Sequence, residues 1–243
     1  MGTQSRMETR SRSFQALGPS VFDRCRYWEW GSETAARTAL CVHGLSRNGR
    51  DFDDLAKALA ALGWRVAAVD VVGRGESDWL IDEKQYDFAA YVQDMALLVA
   101  RLGCGPVDWI GTSMGGIMGQ MFAAGAGAPV RRMVLNDIGP FLDKAGLLRI
   151  KGYVGTDPSY PDFETAKAAV DAVTDKFGPM DADQRRRFVE IAVRERPHGA
   201  VTMNYDPAIA WSFRETEPAA VDPSILWDVI GCPALVARGS ASD

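Results

Sequence analysis

The sequence has 243 residues, is 47% hydrophobic and 24% charged, and carries a net charge of −5. That balance supplies one large α/β core with room for an inserted subdomain and excludes a generally disordered chain. It offers no positive field to a phosphate backbone or an anionic bilayer, so neither nucleic acid nor membrane is an expected partner.

Four scattered cysteines, Cys25, Cys41, Cys104 and Cys232, form no C-x-x-C pair, and only two histidines are present. The expectation is reduced thiols, no disulfide framework, no metal site and no cofactor. Arg185-Arg186-Arg187 is too short a basic run to overturn the acidic surplus and reads as the solvated face of a helix.

Residues 1–13 are polar, with several arginines and no apolar segment of the kind a secretory leader needs, so a frayed start and a cytoplasmic protein are expected. No apolar run approaches bilayer length. Residues 27–30 alternate as an early strand, and 38–42 form a short apolar run of the length of a buried strand, ending at His43-Gly44-Leu45. Helical spacing follows over 50–62, with Gly63 as its stop, then a strand over 64–72 that leaves into Gly73-Arg74-Gly75-Glu76-Ser77. A long amphipathic helix is predicted over 86–102, a strand over 107–110, a helix over 117–124, and a strand over 131–136 closing in Asp137-Ile138-Gly139-Pro140.

Strands alternating with helices imply a mostly parallel sheet covered on both faces. After Pro140 no buried-strand run occurs up to residue 205, whereas 163–177 and 183–194 have helical periodicity, so 141–205 reads as a helical cap. The core domain therefore comprises 1–140 and 206–243, with a helix over 206–213 and one more core strand over 233–238.

The chemistry concentrates in Gly111-Thr112-Ser113-Met114-Gly115-Gly116. G-x-S-x-G between a strand and a helix is the pattern of a sharp turn that lifts a serine hydroxyl above the sheet while small neighbours pack closely. The glycine-rich loop 73–77 fits no dinucleotide fingerprint, since Asp78 stands where the third glycine would be, and reads with Asp70 and Asp78 as turn chemistry. The aromatic residues Tyr153, Tyr160, Phe163 and Phe177 read mainly as the interior of the cap.

Taken in order, the strand ending in His43-Gly44, the 73–77 loop, the serine turn and the final Gly239-Ser240-Ala241-Ser242-Asp243 make the chain resemble the α/β-hydrolase superfamily over residues 27–243. Within it, the chain resembles the small bacterial esterase and enol-lactonase type with a helical cap. The resemblance implies an α/β-hydrolase fold and hydrolysis of a small ester or lactone through an acyl-enzyme on Ser113. It also implies backbone donors at Leu45 and Met114 for the oxyanion, Asp243 as the acid with Asp137 in an alternative acid position, and His43, Gly44, Gly111 and Gly115 in structural roles.

In this fold the base follows the acid in sequence, and nothing follows Asp243. The expectation is a fragment lacking its last strand, the accompanying helices and the catalytic histidine, and nearly inactive for that reason. His198 precedes the acid and reads as an exposed loop residue. A carbon–carbon bond hydrolase, an acyltransferase and a cofactor-free haloperoxidase share the same elbow. A ligand-binding or interaction protein without catalysis is the alternative from another class.

Overall fold

A computed structural model describes residues 9–18, 21–174, 177–215, 217 and 224–240. Nine strands are assigned among these residues. Seven form one sheet in the order β1-β2-β4-β3-β5-β6-β9: β1 (Arg10–Leu17), β2 (Phe22–Trp30), β4 (Arg65–Val69), β3 (Thr38–Val42), β5 (Val107–Thr112), β6 (Val130–Asn136) and β9 (Ala234–Ala237). The β1–β2 and β2–β4 pairs are antiparallel, and every pair from β4 to β9 is parallel.

The centre of the sheet is mostly apolar because both faces are covered; its polar members are Thr38 and Arg65, the latter paired with Glu29 at 2.9 Å. All five residues of β3 and all five of β4 are buried. Alternate residues serve opposite faces, as strand geometry requires. Ala39, Cys41, Val66 and Ala68 pack with α1 (Asp53–Ala61) through Ala56 and Ala60. Leu40, Val42, Ala67 and Val69 pack with α2 (Phe88–Leu102) and α3 (Met114–Ala123) through Met95, Leu98, Met118 and Phe122. Asp87 caps the N-terminus of α2 by accepting from the Ala90 N–H at 2.8 Å, and Gly103, with φ of 60°, ends it in the left-handed conformation.

Several boundaries differ from the sequence reading. β1 replaces part of the frayed start: Phe14 and Ala16 are buried inward, while Arg10 and Arg12 pair with Glu29 and Glu33, a polarity that hides a strand in the sequence. The segment from 141 to 205 holds α4 (Lys144–Lys151), α5 (Phe163–Thr174) and α6 (Ala182–Ala192), but also a hairpin of β7 (Val193–Glu195) and β8 (Val201–Met203). Its strands are three residues each, too short to show a period.

The return to the sheet runs through a 3-10 turn at Pro207–Ala210, α7 (Trp211–Glu215) and α8 (Ser224–Asp228). β9, read as one more core strand and, with no strand after it, as an unprotected sheet edge, has all four residues exposed and is the last strand of the sheet among the described residues.

Candidate active site

β3 lies between β4 and β5, so the chain passes to one side of β3 and then crosses back to the other. The crevice at the carboxyl ends of β3 and β5 is therefore the topological switch point, where open α/β sheets bind ligands. The His43-Gly44-Leu45 loop leaves β3 there, and Ser113 leaves β5.

Ser113 has φ of 50° and ψ of −115°, a positive φ at a residue with a side chain. Such a conformation costs on the order of 1–3 kcal/mol and persists only where the surroundings hold it. Here the Ser113 N–H donates to the Asn136 carbonyl at 3.0 Å, and the Ser113 carbonyl accepts from the N–H groups of Gly116 and Ile117. The Gly115 N–H donates to the His43 carbonyl at 3.1 Å, and the Gly115 carbonyl accepts from the Trp109 indole at 2.9 Å.

Both flanking glycines are required by space. A Cβ on Gly111 would press into the Gly115 backbone, and one on Gly115 into the Val42 carbonyl. The Ser113 side chain is half-buried and caps no helix N–H.

His43 is fully buried. Its Nδ1 lies 2.7 Å from the Gly44 carbonyl and must donate, while Nε2 accepts from the Val71 N–H at 3.0 Å. Those partners fix one neutral tautomer, and burial, assisted by the field of Arg74, lowers the imidazole pKa to about 3. The ring ties the loop after β3 to the segment after β4. The loop also closes on the serine, since a Cβ built on Gly44 would stand 3.8 Å from the Ser113 Cβ. Among the described residues, neither the Leu45 N–H nor the Met114 N–H donates to a protein acceptor.

The structure thus brings Ser113, Met114, Gly111, Gly115, His43, Gly44 and Leu45 together. Asp137 directly follows Asn136, the acceptor of the Ser113 N–H, and has a positive φ of 56°. His198 is exposed in the turn between β7 and β8, with φ of 70°. Asp243 lies outside the described residues. Among those residues no group of three or more His, Cys, Asp or Glu side chains is placed to hold a metal ion, and no helix is long and apolar enough to cross a membrane. A groove lined by Ala123, Gly127, Val130, Val229 and Cys232 sits at the far end of α3, about 15 Å along the helix from Ser113.

Three supports lie around this crevice, of which the sequence offered only turn chemistry for Asp70 and the loop holding Arg74. Asp70 is buried and accepts from the N–H groups of Gly49 and Glu76 at 2.7 and 2.9 Å; burial raises its pKa to about 6 against those bonds. Asn48 donates to the Ile191 carbonyl and Arg47 to the Phe188 carbonyl, fastening α6 of the inserted segment to the loop after β3. Arg74 is fully buried and reaches both Leu45 and Met114. A polar residue in a glycine-rich or polar loop ordinarily signals solvent, which concealed the partners of Arg47, Asn48 and Arg74.

Residues 40–212 match the model of the alpha/beta hydrolase fold family. The chain is 39% identical over 238 residues to 3-hydroxybutyrate-oligomer hydrolase of Cupriavidus necator, covering 94% of this chain and 80% of that one. It is 25% identical over 219 residues to esterase Rv0045c of Mycobacterium tuberculosis, covering 88% and 68%. The crystal structure of an alpha/beta hydrolase from Novosphingobium aromaticivorans superposes with a TM-score of 0.85 at 33% identity, covering 96% of this chain and 82% of that one. With a mostly parallel sheet, a serine turn after β5 and a family match over most of its length, the chain belongs to the α/β-hydrolase family.

Proposed function

We propose that the chain is a serine hydrolase of carboxylic esters or lactones, with Ser113 as nucleophile. The observation that carries this reading is the positive φ of Ser113 at the β5–α3 turn, facing Gly44, with the Leu45 and Met114 N–H groups unengaged beside it. Ser113 Oγ bonds to the acyl carbon as its proton passes to a base, and the carbonyl electron pair moves onto oxygen, where the two N–H groups receive it. Collapse expels the alcohol, which takes the proton, and water then releases the acid from the acyl-enzyme by the same steps. Asp243 is the proposed acid, with Asp137 as the alternative.

Neither histidine in these 243 residues is proposed as the base. His43 has both ring nitrogens committed, and His198 is exposed in the β7–β8 turn. These residues alone are therefore expected to turn over slowly. The substrate class is a short hydroxyalkanoate ester, a reading supported by the name of the Cupriavidus necator relative.

The test treats the chain and its Ser113→Ala variant with a fluorophosphonate, with and without added imidazole, and follows the adduct by intact mass. Slow labelling that imidazole accelerates and Ser113→Ala abolishes is expected. Labelling that survives Ser113→Ala, or no labelling even with imidazole, sinks the nucleophile. Completion within minutes without imidazole sinks the missing base. Release of 3-hydroxybutyrate from its linear dimer in the presence of imidazole tests the substrate, and p-nitrophenyl butyrate turned over with the dimer untouched would exclude it.

A further inference from the structure

Arg74 is 0% exposed, and no carboxylate pairs with it among the described residues. Its Nε donates to the Leu45 carbonyl at 2.9 Å, its Nη1 to the Val72 carbonyl at 2.8 Å and the Tyr91 hydroxyl at 2.9 Å, and its Nη2 lies 3.6 Å from the Met114 sulfur. The rings of Tyr91 and Tyr86 flank it at 5.0 and 5.7 Å. Burying a cation among neutral groups is costlier than burying a well-packed apolar side chain of the same volume. Stability alone therefore does not account for it.

What distinguishes Arg74 is the pair of residues it bridges. One contact holds the Leu45 carbonyl, one peptide beyond the Leu45 N–H, and the other the side chain of Met114, the two residues whose N–H groups are proposed to face the oxyanion. The loop that holds Arg74 is itself pinned: the Gly75 N–H donates to the Asn204 carbonyl, and the Asp206 N–H to the Gly73 carbonyl. Its charge is also felt locally, since it contributes to holding His43 neutral.

We propose that Arg74 is a positioning residue for the oxyanion donors, setting the spacing of the Leu45 and Met114 N–H groups and placing an unneutralised positive charge behind them. The inference rests on the serine-hydrolase reading. Where a general base is lacking, a residual acceleration of about 10³–10⁴ over water in serine hydrolases comes from the oxyanion site and binding, so the chain as it stands reports the property at issue.

The experiment measures p-nitrophenyl butyrate and its thionoester, in which sulfur replaces the carbonyl oxygen and accepts hydrogen bonds poorly. Each rate is divided by the buffer rate, with imidazole present throughout, for the parent chain, Arg74→Lys and Arg74→Met. A general loss of structure lowers both enhancements together, whereas misplaced donors lower the oxygen ester selectively. The parent is expected to favour the oxygen ester by about tenfold or more, on the scale of one such donor. Arg74→Met should bring that preference close to one, with kcat falling about 10–100-fold and KM nearly unchanged, and Arg74→Lys should fall between.

Circular dichroism and thermal melting identify which variants are folded, and Arg74→Lys, which keeps the charge and most of the volume, carries the test should Arg74→Met not fold. Folded variants that keep the parent preference overturn the role of Arg74 and leave Ser113 standing. A parent chain with no enhancement over buffer, or with no preference for the oxygen ester, overturns the functional reading and this inference with it.

Discussion

The two sides of the serine turn are held in different ways. Toward β3 and β4, every strand residue is buried, and the loops that leave these strands are cross-tied by His43, Asp70 and Arg74. Toward β9, the sheet ends in a strand whose Leu235 and Val236 are 62% and 45% exposed, joined to β6 by a parallel ladder and by the Asp137 N–H to the Ala237 carbonyl. In the proposed site the nucleophile and oxyanion donors sit on the first side, while the strand leading to the acid lies on the second. On that proposal, preorganisation is concentrated around the nucleophile and the oxyanion donors, and the proposed acid follows the most exposed strand described.

The largest test of this contrast is Gly115→Ala. In an ordinary helix the change is favourable, but here the new methyl meets the Val42 carbonyl and must push α3 away from β3. A loss of about 3 kcal/mol or more is expected, read as a fall in Tm of roughly 6–12 °C, together with loss of Ser113 labelling. An unchanged Tm would mean that the turn is far more compliant than its packing implies.

A matched pair of truncations compares the two sides directly. Leu40 is fully buried on β3, so Leu40→Ala should cost about 3 kcal/mol by denaturant titration. Leu235→Ala on β9 should cost less than about 0.5 kcal/mol. Comparable losses would show that β9 is covered in solution.

The sequence made one side more legible than the other for a physical reason. Continuous apolar runs such as 38–42, bounded by glycine and a charged helix start, can only be satisfied by burial on both faces, and they proved to be β3 and β4. His-Gly and G-x-S-x-G were readable because steric demands restrict those positions to few residues. Arg74 was not, since a buried cation satisfied by carbonyls carries no mark distinguishing it from an exposed one. β9 reads from its composition as a strand fit for burial, and its place at the edge follows from the lack of a further strand in these residues, because an apolar pattern records an appetite for burial and not the presence of a neighbour.

Asp94 asks whether close packing extends to the helix behind the centre. It lies on α2, is 8% exposed, and has its pKa raised to about 7, first by burial and then by Asp23. The folded value is above the unfolded one, so between about pH 4 and 7 the folded chain binds the extra proton, and this group's contribution to stability is lost as pH rises through that window. Asp94→Asn should raise stability at pH 8 by about 1–2 kcal/mol and flatten the decline between about pH 4 and 7 in a series of thermal melts. An unaltered pH dependence would place the carboxylate in contact with water.

The smallest effect on stability is expected at β9, where it is also the most informative. Its outer side pairs with no strand among the described residues, and Leu235 and Val236 supply an apolar, uncharged edge of the kind that recruits another strand. A lysine at an exposed edge position costs almost nothing in the folded monomer but must be desolvated in an edge-to-edge pair. Val236→Lys should therefore shift the denaturation midpoint by less than about 0.5 kcal/mol while suppressing concentration-dependent self-association in sedimentation velocity. Association that persists in the variant would move the sticky surface elsewhere, with Ile225 and Val229, 75% and 58% exposed, the next positions to change.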